Sequence, residues 1–382
     1  MTMLAAAQEL APVIAARAAD TEARRHLPAD LAGRIADAGL FRMAVPRRLG
    51  GAEASPADIV AVLETVGHAD AATGWCTMIA GTTAIAAAYL PDPYAAEVFG
   101  DPATISGGVF APLGKAVVDG DDYVVSGRWS WASGSANCQW LIGGAIIFDA
   151  GVMRLLPNGA ADHRMMIFAR KDVELIDTWD ASGMRGTGSG DMAVNNVRIP
   201  RLRSVSFMTD APRETGPLYA FPPFGLLALG IAAVASGNAR GALDDFKALA
   251  VAKKGAGSSR SLAERGTVQA EYARAEAALE SARALVDREI AAGWTLACAG
   301  KYLDASVRAR LRLAATHLTR TAADVTRTAY DLAGGSAVYA SNPLQRRFRD
   351  AHVATQHMMV APPTYELTGR ALLGLPTDTA AL

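Results

Sequence analysis

At 382 residues the chain is longer than one typical core requires, and with 51% apolar residues it can fill two or three. A formal charge of -1, with acids and bases interspersed, excludes the basic stripe of a nucleic-acid binder and an acidic tail. Cys76, Cys138 and Cys298 are scattered and lack C-x-x-C spacing, which excludes a disulfide framework and a zinc site and fits a reducing cytoplasm.

Residues 4–99 carry a helical pattern, Ala-rich with Glu and Arg on a polar face, broken at Pro28, Pro46 and the Gly50-Gly51 turn. Ser55 followed by Pro56 marks an N-cap and first helical position, and residues 41–46 are expected as a short extended piece. Glu9, Asp20 and Glu22 interrupt the Ala-rich start and no basic segment precedes an apolar core, so no secretory or transit signal is expected. Residues 71–90 hold no charge and approach the length of a membrane span, about 20 residues. Thr73, Gly74, Thr77, Gly81, Thr82 and Thr83 within it predict a buried helix of a protein outside the membrane.

From residue 105 to 200 the texture changes to short β-branched and aromatic runs between Gly, Asp and Asn turns, predicting strands at 116–118, 123–125, 129–132, 140–147, 165–169, 173–176 and 193–199. After Pro222-Pro223 the helical period returns at 224–249, 262–293 and 301–332, with residues 255–259 as a loop and the segment after Leu344 as a fourth helix. The expected fold is therefore α+β and multi-domain: an N-terminal helical domain (1–102), a central small β-barrel or sandwich (103–210) and a C-terminal four-helix bundle (211–382).

Near the C-terminus, His352 and His357 stand among Ala, Val and Met, a titratable pair in an apolar setting. Without further context they are two helix residues, one exposed and one hydrogen-bonded in the core. Five positions on a helix place them about 140° apart, which disfavours a shared metal. Gly186, Gly188 and Gly190 lack the spacing and the following helix of a dinucleotide loop. His68 and His317 fall in helical patterns, and His26 and His163 in surface segments. Arg346, Arg347 and Arg349 could meet a phosphate or form a solvated face.

Three stretches, in this order, give the chain a resemblance to the acyl-CoA dehydrogenase fold. They are Gly127-Arg128-Trp129-Ser130-Trp131-Ala132-Ser133-Gly134, then Gly183-Met184-Arg185-Gly186-Thr187-Gly188, then Gly334-Gly335 followed by Arg349-Asp350-Ala351. Dehydrogenases of this fold commonly place a glutamate base after Arg-Asp-Ala; here Met358 stands at that position, beside His357, and a thioether cannot take a proton. The chain thus looks more like the two-component flavin-dependent monooxygenases of the same fold, which bind reduced flavin, FMN or FAD, supplied by an NAD(P)H-dependent reductase.

In that group dioxygen adds at the flavin C4a position, forming a hydroperoxide that passes one oxygen atom to an aromatic or heteroatom-containing small molecule. The resemblance implies His357 as the catalytic residue that assists a proton transfer, and Ser133 as the hydroxyl facing flavin N5 or O4. It further implies Trp131 over the ring, Gly334 and Gly335 near the flavin phosphate or a neighbouring subunit, and a homotetramer. Thr83, Met358 and Met359 would line the substrate pocket, with Thr82 and Thr83 where other oxygenases of the group often carry a His. On composition alone, Trp129 and Trp131 could instead fill a β core, and Gly334-Gly335 could be a helix C-cap. Two alternatives remain: an acyl-CoA dehydrogenase with its base on another helix, and a non-catalytic flavin-fold binding protein.

Overall fold

A computed structural model describes residues 2–254, 259–380 and 382; apart from Ser259, the expected loop at 255–259 lies outside the described residues. The chain opens with α1 (Met3–Arg24), started by Thr2, whose hydroxyl accepts from the Ala5 N–H, and ended by Arg25 in the left-handed region. Then come α2 (Ala29–Asp37), α3 (Pro56–Ala69), α4 (Ala71–Thr83) and α5 (Asp92–Phe99). Ser55 caps α3 by accepting from the Asp58 N–H, with Pro56 at the first helical position, as its sequence announces.

The piece expected to be extended at 41–46 instead coils into a 3-10 turn, Leu40–Arg42, followed by further turn. Arg42 explains the difference. It is buried, and its guanidinium donates to the carbonyls of Phe99 (2.8 Å) and Asp101 (3.0 Å), a stapling that an extended strand would break. The uncharged stretch at 71–90 is buried almost throughout and divides at Thr83 into α4 and a 3-10 segment, Ala84–Ala88.

The strands are β1 (Ser106–Asp119), β2 (Asp122–Trp129), β3 (Trp140–Asp149), β4 (Val152–Met153), β5 (His163–Ala169), β6 (Glu174–Ile176), β7 (Asp191–Pro200) and β8 (Ser204–Val205). They form one sheet with the path β6-β7-β2-β1-β3-β5-β8, β4 pairing with β3. All pairs are antiparallel except β1 with β3. Trp129 is its core: fully buried, it donates from Nε1 to the Gly144 carbonyl at 2.8 Å. A Cβ at Gly114, Gly127 or Gly143 would lie 2.5 to 2.8 Å from its ring, so three strands clear space for one indole.

The C-terminal helices are α6 (Pro217–Ala220), α7 (Pro223–Ala252), α8 (Gly266–Cys298), α9 (Ala305–Ala333), α10 (Pro343–Ala354) and α11 (Pro363–Leu372). Helix α7 alone among the described helices is long and apolar enough to cross a membrane, but 94% of that window is buried inside the protein. The fourth member of the bundle is split: α10 stops at Ala354, and Pro362 and Pro363 restart the chain as α11. His357 sits in the break.

Close backbone approach docks the N-terminal helices on the bundle. A Cβ at Gly237 of α7 would lie 2.2 Å from the Glu64 carbonyl oxygen of α3, and one at Gly67 would lie 2.8 Å from the Val234 carbonyl. Both neighbours are backbone, which cannot rotate aside. Gly237→Ala is therefore expected to lower stability by about 1–3 kcal/mol in chemical denaturation. Gly33→Ala, in α2 with nothing within 4 Å of the new methyl, should raise it by about 0.5–1 kcal/mol.

Candidate active site

The site grows out of the end of β2. Pairing with β7 stops at Trp129↔Met192, yet the chain stays zipped to the segment before β7. Ala132 N–H donates to the Gly190 carbonyl (2.9 Å) and Gly134 N–H to that of Thr187 (2.8 Å). Just before them Trp131 takes φ +68°, an uncommon conformation for a bulky side chain, and its indole is 69% exposed. The expected strand at 129–132 therefore ends at Trp129. The twist separates the residues that alternation would have put on one face: Trp129 in the core, Trp131 outside, Ser133 buried in the loop.

Ser133 opens a chain of hydroxyls. Its Oγ lies 2.6 Å from Ser189 Oγ, which lies 2.6 Å from Thr187 Oγ1, which in turn lies 2.8 Å from the Met184 carbonyl. On the other side Trp75 of α4 donates its indole N–H to Ser133 Oγ at 3.2 Å. Trp75 meets the ring of His357 edge-on, centroids 5.7 Å apart. Ser133, singled out in the strand, and His357, singled out near the C-terminus, are thus joined through a tryptophan that sequence reasoning did not single out. The only sequence signal for Trp75 was a large indole within an uncharged helix.

His357 is half-buried, and the backbone N–H of Met359 donates to its Nδ1 at 3.2 Å. With Nδ1 accepting, the proton of the neutral ring sits on Nε2. Burial, followed by the nearby Arg312 guanidinium, pushes its pKa down to about 4. Arg312 of α9 is itself buried and donates to the Met359 carbonyl at 3.1 Å, and burial pulls its pKa down to about 10. The ring therefore ionises well below neutrality. At pH 7 His357 is a neutral donor through Nε2–H. His352 points elsewhere, exposed on α10, its Nδ1 paired with the Phe348 carbonyl.

The other named residues divide. Met359 is buried beside His357, whereas Met358 is 72% exposed because the turn after α10 throws its side chain outward, so it walls no cavity of this chain. Thr83 is buried at the end of α4, eight residues beyond Trp75 and thus about 12 Å along the helix. Gly334 and Gly335 are exposed at the C-terminal end of α9, where Gly334, at φ +55°, is the C-cap. Twenty-two residues separate Gly334 from Arg312, about 33 Å of helix, so within one chain this turn does not reach His357.

Arg346, Arg347 and Arg349 are engaged inside the chain: Arg347 with Asp245 and the His68 carbonyl, Arg349 with Glu22 and the Ser182 carbonyl, and Arg346 near Glu22. His163, expected at the surface, is half-buried in β5, with its pKa lowered by burial. Cys76 and Cys138 line, with Ser133 and Gly134, a recess of about 10 Å³, no larger than one water. Burial raises both thiols, Cys138 to about 12, so they stay neutral and unreactive.

These side chains are of the kinds a reduced flavin needs: a buried hydroxyl at Ser133, an exposed indole two residues before it, and a neutral imidazole joined to that hydroxyl through Trp75. Family comparison points the same way. The acyl-CoA dehydrogenase N-terminal domain matches residues 2–91 and the acyl-CoA dehydrogenase C-terminal domain matches residues 229–362. The indole-3-acetate monooxygenase of Pseudomonas putida is 33% identical over 94% of this chain and 90% of its own length. The chain belongs to the acyl-CoA dehydrogenase family, among its flavin-dependent monooxygenases.

Two further relatives in this family agree. The oxygenase subunit HsaA of a flavin-dependent monooxygenase from Rhodococcus jostii is 28% identical, over 97% of this chain and 98% of its own. The solved structure of XiaF from Streptomyces sp., in complex with FADH2 and glycerol, superposes with a TM-score of 0.90 at 25% identity, covering 98% of this chain and 96% of that one. The chain is a flavin-dependent oxidoreductase that works with reduced flavin.

Asp350 holds the loop behind this site. Its Oδ1 accepts from the Met184 N–H at 2.6 Å, while burial and then the neighbouring Asp70 raise its pKa to about 7 against the pull of Met184, Arg346 and Arg349. A carboxyl raised in the folded state contributes stability that is present below the unfolded value near 4 and is lost as pH rises through 7. Asp350→Asn keeps the acceptor for Met184 and should flatten the fall in melting temperature between pH 4 and pH 7. Asp350→Ala leaves a buried N–H unpaired and should cost about 1–3 kcal/mol in the same denaturation series.

Proposed function

We propose that this oxygenase component oxygenates an aromatic small molecule held between α4 and the turn after α10, with the flavin ring edge against Ser133 and one ring face under Trp131. The observation that carries the reading is the joining of Ser133, Trp75 and His357 in one buried place. The exposed indole at a costly backbone angle supports it, since strain of this kind gathers at functional sites.

When bound, reduced flavin supplies the activation of dioxygen and the delivery of one oxygen atom to the substrate. The chain's own groups set the conditions. Trp75, Met359 and Val360 exclude water, which limits stray proton transfer. His357 offers one steady hydrogen bond from Nε2–H to an oxygen atom in the cleft. Acting as a base there would require moving its proton to Nδ1, where the Met359 N–H already points. Donation, rather than proton abstraction, is its role.

A separate flavin reductase serves as partner, as expected for an oxygenase component. We place Gly334 and Gly335, remote from His357 within one chain, at a contact between subunits of a homotetramer, and Thr83 in the far wall of the substrate pocket. The free, unpaired thiols suit the cytoplasm. Relatives named as monooxygenases weigh against a dehydrogenase with its base on another helix, and no observation favours a non-catalytic protein.

The decisive assay supplies reduced flavin from a generic reductase and screens indoles and phenols for an added oxygen atom. Reduction of the flavin by an acyl-CoA instead would overturn the reading. His357→Ala should lower product formation by roughly 10²-fold and divert oxygen into hydrogen peroxide, whereas His357→Gln, which keeps a side-chain N–H, should retain more coupling. The pH profile should show no break from His357 between pH 5 and 8, because its ionisation lies near 4.

A further inference from the structure

We infer that the hydroxyl chain Ser133, Ser189 and Thr187 selects the oxidation state of the flavin, by meeting the ring's N5 edge with a lone pair instead of a proton. The inference rests on the proposal that this edge lies against Ser133. It goes further by naming the residues, Ser189 and Thr187, that decide which form of flavin Ser133 accepts.

Each hydroxyl carries one proton, so the chain has two consistent orientations. In the inward orientation Ser133 donates to Ser189, Ser189 to Thr187, and Thr187 to the Met184 carbonyl, over distances of 2.6, 2.6 and 2.8 Å. All three protons then find acceptors inside the protein. In the outward orientation Thr187 donates to Ser189, Ser189 to Ser133, and Ser133 into the cleft. The Met184 carbonyl then loses the Thr187 bond, and the Ser133 proton has no acceptor from the described residues, since Trp75 brings an N–H and not a lone pair. The inward orientation is favoured by one hydrogen bond, in a buried setting that strengthens such chains.

With the chain inward, Ser133 Oγ has given its proton to Ser189 and one lone pair to Trp75. A single lone pair is left for a ligand. Reduced flavin bears a proton on N5 and donates to it; oxidised flavin presents a bare N5, and two acceptors would then face each other. Oxidised flavin binds well only if all three hydroxyls reverse, at the loss of the Thr187 to Met184 bond. One such bond corresponds to about a fivefold difference in affinity. Three residues outside the ring's reach of direct contact or at its edge thereby discriminate between two ligands that differ by their N5 proton and their charge state.

Anaerobic titration of the full chain with reduced and with oxidised flavin reads the ratio of the two dissociation constants, which a loss of general fold would not move selectively. Wild type should favour reduced flavin. In Thr187→Val the inward acceptor is gone, Ser189 turns its proton toward Ser133, and the ratio should fall about fivefold, chiefly through tighter binding of oxidised flavin. Thr187→Ser, which keeps the hydroxyl, should retain the wild-type ratio. If Thr187→Val does not fold, Ser189→Ala frees the Ser133 proton and should lower the ratio likewise.

A ratio unchanged in Thr187→Val, or in Ser189→Ala, overturns the selector even if Ser133→Ala weakens both forms of flavin. If Ser133→Ala changes neither affinity, the placement of the flavin edge at Ser133 fails, and the selector fails with it. The two failures are thus told apart by Ser133→Ala alone.

Discussion

The structure depends on how one loop, 183–190, is pinned between the sheet and the bundle. Asp350, within α10, accepts from the Met184 N–H, and the backbone of Arg349 passes so close that a Cβ at Gly183 would lie 2.4 Å from its carbonyl. On the far side the loop pairs with Ala132 and Gly134. A buried carboxyl is costly unless its hydrogen bonds are made, so Met184 has one place to go. The hydroxyls of Thr187 and Ser189 follow from that placement, and Ser133 from theirs.

The same pinning brings three remote parts of the chain into one small volume: Trp75 from α4, Ser133 from the end of β2 and His357 from the break between α10 and α11. Burial there alters each group. His357 loses its charge, Cys76 and Cys138 keep their protons, and even Arg312 is weakened as a cation. What remains is a cluster of neutral donors and acceptors with fixed directions.

The family shares its scaffold with enzymes that remove an α-proton from a thioester, and the difference lies in a few side chains. A thioether at position 358, turned to solvent, replaces a carboxylate, and the neighbouring imidazole turns inward. Fold and reaction are therefore separate questions here, and the reaction is argued from the site.

Much was legible in the sequence because it is local. The period of apolar residues announced the helices, Ser55-Pro56 marked the start of α3, and β-branched runs between turns marked the sheet. Motif order carried the family, and with it the expectation that His357 and Ser133 belong to the site. What only the tertiary structure decided are matters of direction and environment. The strand alternation expected through Trp131 failed because pairing with the 187–190 segment forces a left-handed residue there. The pKa of His357 depends on burial and then on Arg312, which is distant in sequence, and Arg42 coiled a stretch whose own residues favoured extension. Trp75 became part of the site only when α4 was laid beside the β2 loop. Local propensity is written residue by residue, whereas desolvation and hydrogen-bond direction exist only once remote segments share a boundary.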